Sequence, residues 1–375
     1  MDWFLSQPVQ LQAALIGAVA ALVVVLLRDV GSRLLFDVLA RFFFEWRGER
    51  SERRKAALAV YSTYADPLAS AATSLFWRLR EVFYEPHRAT FLRQPEPSTE
   101  LQRYKKVSTL YRLAALLGWI RGFRRELSFF TVDDRTRLRT LEDAINQFES
   151  ALADGRGVEV QRVEGLAELW GFKLPDDDQR KSTLSVKVEA EIKNRFAVFE
   201  LWDIRERPES QKLEICAVAG EVLAQELRED LVRREAIDEN LSQAVEILGV
   251  REAWLWRDWQ AAIGDLMLEE VSAGRRRFEV KGYVRFLEMR EKDGPERDWM
   301  ELLAKVMQGV DISRSDGSDA RVLQLKGALA ATAKILIALS QVKERPGSVP
   351  TQTLKEARQV LKAFCKLSSA PRKTR

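Results

Sequence analysis

Apolar residues recur at helical spacing along almost the whole chain, but the first stretch differs in kind from the rest. Residues 9–27 contain no charged side chain, and Leu11, Leu15, Val19, Leu22, Val25 and Leu27 mark a run that predicts a membrane-spanning helix. At a rise of about 1.5 Å per residue, residues 11–27, extended upstream by Trp3, Phe4 and Leu5, are long enough to cross a hydrocarbon core of roughly 30 Å. The flanks set its orientation. Arg28, Arg33, Arg41, Arg47 and Arg50 follow the run, whereas no Lys or Arg precedes it, so the N-terminus is expected outside and the body in the cytoplasm. Asp2 and the lack of a small-x-small cleavage site argue against a removable signal peptide. Trp3 suits the outer interface, where an indole finds both apolar contact and a hydrogen-bond partner.

Past the run the pattern turns amphipathic. Leu35, Val38, Leu39, Phe42 and Trp46 recur at three- and four-residue steps, with Arg33, Asp37, Arg41 and Glu45 alternating in sign. With Phe43 and Phe44 widening the arc, this segment predicts either an interfacial helix on the inner leaflet or a stalk continuing the anchor. Asp66 before Pro67 reads as a helix start, and Ser108 or Thr109 as the cap of a helix through Leu127. Leu138, Leu141, Ile145, Phe148 and Leu152 predict one bundle helix, closed by Gly155 and Gly157. Further helices are expected across 184–199, 215–231, 237–248 and 299–306. Residues 278–286 have some strand-like alternation and are read as helix. Trp254, Trp256 and Trp259 are read as core packing.

The most hydrophobic body helix, 322–342, contains Lys326 and Lys334; burying both in a bilayer costs several kcal/mol, so it is expected to be a core helix. The expected architecture is therefore all-α: a single N-terminal transmembrane helix followed by a cytoplasmic multi-helix bundle. Its parts are an anchor at 1–30, an amphipathic juxtamembrane helix at 31–60, a helical subdomain at 61–172, an acidic linker at 173–183, a second helical subdomain at 184–345 and a basic C-terminal helix and tail at 346–375.

Composition narrows the chemistry. The 375 residues are 46% hydrophobic and 31% charged, enough for a sizeable core, and sixty basic side chains nearly balance fifty-six acidic ones. That balance predicts solvated, ion-paired helix faces and no nucleic-acid surface. The single histidine, His87, excludes multi-histidine metal motifs by count, and Cys216 and Cys365 have no C-x-x-C spacing, so no metal or cofactor is expected. The run Asp176, Asp177, Asp178 is read as a solvated acidic linker. No P-loop, dinucleotide fingerprint, nucleophile elbow or zinc-protease motif is present.

The chain is accordingly expected to be an inner-membrane scaffold or partner-binding protein and not an enzyme. The alternative is a membrane effector of the stress or phage-defence type, whose body senses a ligand or partner. Its anchor would self-associate as a homo-oligomer through the small side chains of Ala13, Gly17, Ala18 and Ala21. Lower in rank stands an enzyme on a lipid or anionic substrate, with Arg121, Arg124 and Arg125 as anion-binding groups; the preferred reading of Arg124 and Arg125 is that they complement the negative end of a helix C-terminus.

Overall fold

The computed structural model describes residues 8–93, 99–131, 135, 138–153, 157–198, 200–272, 274–312, 319–342 and 348–368; within 9–50, side chains are described only at Ala14, 17–21 and Glu49. The chain is 78% helix, so the all-α expectation holds. It divides into two compact units, Met1–Ala59 with Phe130–Thr136, and Val60–Phe129 with Arg137–Arg375. The division does not fall at 173–183, where the linker was expected.

In the first unit the backbone is helical from Val9 onward, as part of α1 (Val9–Tyr84). Trp3 lies outside the described residues, as do the side chains of Leu11, Leu15, Leu22, Val25, Leu27, Arg28, Arg33, Phe42, Phe43 and Trp46. Val19 is described and is 55% exposed.

In the second unit Pro67 lies inside α1 and not at a helix start. An interior proline costs about 3 kcal/mol because it frees the carbonyl four residues earlier. Here that carbonyl, on Thr63, accepts from the Arg276 guanidinium at 3.5 Å. Helix α2 (Thr90–Arg93) is a single turn, after which α3 (Glu100–Leu127) begins earlier than expected, because Thr99 caps it by accepting from the Gln102 N–H. Ser108 and Thr109 are buried inside α3 and donate back to the Lys105 carbonyl. Residues 61–84 of α1 pack on α3 through Lys105–Glu81, 2.7 Å, and on the C-terminal helices through Tyr61 to the Leu339 carbonyl and Arg80–Glu356.

The main core is built around α13 (Ala320–Gln341), which packs on α4 (Arg139–Ala153) and α14 (Thr351–Ser368). Among the described residues α13 is the one helix long and apolar enough to cross a membrane, and 78% of that window is buried within the protein. Lys334 is exposed and donates to Gln147, while Lys326 lies over the Phe83 ring. Helix α14 docks through Thr353, Ala357 and Val360 and leaves Lys355 and Arg358 on its open side.

A second core joins α5 (Val158–Trp170), α6 (Asp178–Phe196), α7 (Glu209–Leu227), α8 (Arg234–Glu239) and α9 (Leu241–Leu248). Val163 and Leu166 on one side of the acidic stretch share it with Leu184, Val188 and Ile192 on the other. Residues 173–177 are thus a short surface connection over a continuous core, and 178–183 already belong to α6. Asp177 caps α6 by accepting from the Gln179 N–H.

Helix α10 (Arg257–Met267) crosses α3 and leads into β1 (Leu268–Glu270), which pairs antiparallel with β2 (Phe278–Val280). Residues 278–280 are therefore strand, and helix α11 (Tyr283–Glu291) starts only after Gly282, followed by α12 (Pro295–Lys305). Of the three tryptophans, Trp254 and Trp259 are partly buried, whereas Trp256 is 54% exposed and meets Trp259 edge-on, and Leu255 beside it is buried.

Candidate functional site

The arginines proposed for anion binding are spent on internal carboxylates. Arg121 makes a bidentate pair with Asp265 at 2.8 and 2.9 Å, and Arg125 stands 3.6 Å from the same carboxylate with its guanidinium over the Phe278 ring. Arg124 reaches the buried Glu149 at 2.6 Å and Asn146 at 2.7 Å. These groups fasten α3 to α10 and α4, and none of them lines a described cavity. An open cavity of about 860 Å³ does lie over the acidic loop, bordered by Leu174, Asp176, Asp177 and Glu226. Two of its carboxylates are engaged: Glu226 pairs with Lys187 at 2.6 Å and Asp177 caps α6. Among the described residues no set of His, Cys, Asp and Glu is grouped to hold a metal ion. His87 is exposed in a single 3-10 turn, Pro86–Arg88.

A different surface gathers chemistry. On α3, Glu100, Arg103, Tyr104, Val107, Ser108, Tyr111, Arg112, Ala115 and Trp119 recur at three- and four-residue steps and so form one stripe beside the apolar face. Pro67, Ser70, Ala71 and Ser74 present a row of small side chains from α1 at the same spacing, leaving space above them. Across the gap α11 contributes Tyr283, Leu287, Arg290 and Glu291.

The result is a groove with two adjoining halves that share Tyr104 and Tyr283. One half, about 380 Å³, is walled by Tyr104, Tyr111, Trp119 and Tyr283, with Ser70, Ser74, Ser108 and Arg112 as polar groups. The other, about 490 Å³, carries Arg103, Lys106 and Arg290 with Glu100 and Glu291. Each volume lies in the range of small-molecule sites.

The walls are held in place. Tyr111 packs edge-on against Tyr283 at 5.3 Å and against Phe286 at 5.5 Å. Arg112 donates weakly to the Ser74 carbonyl at 3.5 Å. Below the floor, the buried Arg78 donates to Ser108 Oγ at 3.4 Å, lies 3.5 Å from Glu81 and stacks over Phe91. Burial raises the pKa of the Tyr111 and Tyr283 phenols, keeping them neutral donors. Burial also lowers the pKa of Arg290, opposed by the Tyr283 phenol and Glu291.

Among the described residues Arg103 and Arg290 have no hydrogen-bond or ion-pair partner. For Arg290 this is unusual, because its head is half-buried and its desolvation is offset only through space by the Tyr283 phenol and Glu291, with no direct hydrogen bond or ion pair.

The periodicity of α3 alone contained part of this signal, with an arginine and a tyrosine side by side at 103–104 and again at 111–112. Tyr283 and Arg290, seven residues apart on another helix, were the part that required the fold. Compared with known protein families, with curated proteins and with solved structures, the chain matches none.

Proposed function

We propose that this chain is a single-pass inner-membrane protein, anchored by its first thirty residues, with the N-terminus outside and the helical body in the cytoplasm as a non-catalytic binding module. The observation that carries the anchor is the uncharged run 9–27 followed by arginines and preceded by none. Helical backbone through the run supports it, as does the exposure of Ala14, Gly17, Ala18, Val19, Ala20 and Ala21, apolar positions that no protein core covers. The rival apolar helix, α13, is occupied as core. For the body, the groove between α1, α3 and α11 supports a binding role: it is preformed, polar in part, and carries unpaired cations.

Membrane fractionation tests the anchor. The intact chain is expected in the pellet after alkaline carbonate extraction, with a C-terminal tag protected from external protease in intact spheroplasts. A chain lacking residues 1–30 is expected to move to the soluble fraction. Carbonate-extractable intact protein, or an accessible tag, refutes the proposal.

A second reading is favoured by the open flank of Gly17, where an added Cβ would meet nothing within 4 Å. With Ala13, Ala18 and Ala21 it gives the anchor a side on which a second copy packs closely, as a self-associating membrane effector requires. Dye leakage from vesicles bearing the intact protein, abolished by Gly17→Leu, distinguishes this reading from a passive tether.

A further inference from the structure

We infer that the groove between α1, α3 and α11 binds a small phosphate ester of a planar ring, of the size and chemistry of a nucleoside monophosphate. The inference rests on the reading of the body as a binding module and names its ligand class.

The two halves of the groove differ in the way such a ligand does. Four aromatic rings wall one half, and no Leu, Ile or Val side chain lines it, so it suits a flat ring that stacks and not an acyl chain that needs aliphatic cover. Ser70 and Ser74, both exposed, add short hydroxyls for the polar edge of a base or sugar. The other half is cationic: Arg103, Lys106 and Arg290 face two carboxylates, Glu100 and Glu291, both exposed at the rim where solvent screens them. A phosphate monoester carries about two negative charges near neutral pH, and Arg103 and Arg290 are two guanidiniums that make no internal hydrogen bond or ion pair. Contrast with Arg121 and Arg124, which carboxylates already satisfy, separates these cations from the structural ones. Tyr104 and Tyr283 border both halves, so one ligand spanning the groove touches the same two rings with its base and its phosphate ends. A nucleic-acid strand is a poorer fit, because the positive charge of this groove is confined to one half and does not extend as a track through the other.

Isothermal titration of the full-length protein in detergent micelles decides the matter, with AMP, GMP, CMP and UMP as probes beside adenosine, inorganic phosphate and poly-glutamate. At least one monophosphate is expected to bind saturably and more tightly than either adenosine or phosphate alone. Arg290→Ala and Arg103→Ala are each expected to weaken it about ten- to hundredfold, and Tyr104→Ala, at an exposed ring whose loss leaves the core intact, by about tenfold or more. Circular dichroism of each variant confirms folding. Phosphate binding as tightly as every nucleotide overturns the assignment, as does nucleotide binding indifferent to all three substitutions. Poly-glutamate binding in place of the nucleotides, lost in Arg290→Ala, overturns the ligand class and leaves the binding-module reading standing. Absence of binding by any probe removes the nucleotide assignment and the groove's support for that reading together.

Discussion

The crossing of α3 and α10 depends on two glycines, and enlarging one of them gives a sharp test of the fold that supports the groove. A Cβ on Gly264 would lie 2.7 Å from the Arg121 Cβ and 3.0 Å from the Leu117 carbonyl oxygen; one on Gly118 would lie 2.9 Å from the Met267 Cβ. Carbon atoms rest at about 3.5–4.0 Å, so Gly264→Ala forces the two helices apart by about 1 Å. No side-chain rotation relieves this, because the obstructing atoms are a Cβ and a backbone oxygen. Overpacking of that kind costs about 1–3 kcal/mol, against a helix-propensity gain of about 1 kcal/mol, leaving a net loss of up to about 2 kcal/mol. The separation also stretches the Arg121–Asp265 pair, now at 2.8 and 2.9 Å. Gly165→Ala is the control: its Cβ would meet only side-chain atoms of Ile247, at 3.1 Å and beyond, and that half-exposed side chain needs to give by only a few tenths of an ångström. That variant is expected to be neutral or more stable by up to about 1 kcal/mol. Urea unfolding of the full chain in micelles, followed by far-ultraviolet circular dichroism, gives the order. If Gly264→Ala proves as stable as Gly165→Ala, the close-crossing argument is wrong.

The fully buried Gln324 donates from Nε2 to the Leu152 and Ala253 carbonyls, each at 2.8 Å, so Gln324→Leu is expected to cost about 2–4 kcal/mol in the same urea assay; a loss below about 0.5 kcal/mol would refute the clamp. Burial pushes the Cys216 thiol up from 9.0 to about 12, whereas Cys365 is exposed, so a maleimide at neutral pH is expected to label Cys365 alone until denaturant is added. Labelling of Cys216 in the folded chain would contradict its enclosure in the second core. Burial, more than any charge, raises the Tyr64 phenol from 10.0 to about 12. The unfolded chain therefore loses this proton first, and the raised pKa opposes folding progressively as pH climbs from 10.0 toward about 12, while below 10.0 it costs nothing. Tyr64→Phe is expected to flatten that alkaline limb in pH-dependent urea midpoints; an unchanged limb contradicts the assignment.

Most of the helical pattern was legible because burial on one side imposes a period of 3.6 residues, and α4 with its approach shows it plainly: Leu138, Leu141, Ile145, Phe148 and Leu152 are all buried. Helix starts were less legible, since several residues in a row qualify as caps and only tertiary partners choose among them. Pro67 signals a start in isolation, yet the Arg276 guanidinium reaches the carbonyl it frees and the helix continues. Strand β2 is three residues long, too short for alternation to register. It forms where Gly118 and Gly122 lower the surface of α3, with Val280 and Phe278 against them. The acidic run revealed exposure, and exposure was mistaken for a boundary. A loop suffices there, because Val163 and Leu166 before it and Leu184 and Val188 after it pack into one core.

The functional arginines could not be sorted from sequence for a reason that is electrostatic. Arg124 and Arg125 stand together at the end of a helix and look available, but Asp265 lies 144 residues from Arg121 along the chain and beside it in space, and Glu149 does the same for Arg124. Arg103 and Arg290, with nothing in their local sequence to single them out, line the groove without an ion-paired carboxylate. In a chain where basic and acidic side chains nearly balance, what marks a cation as available for a ligand is the absence of a partner in three dimensions. Half-burial of Arg290 then raises the cost of leaving it so, and a ligand that supplied the missing charge would recover that cost on binding. By this logic the groove, more than the arginine-rich end of α3, is where a binding function is to be sought.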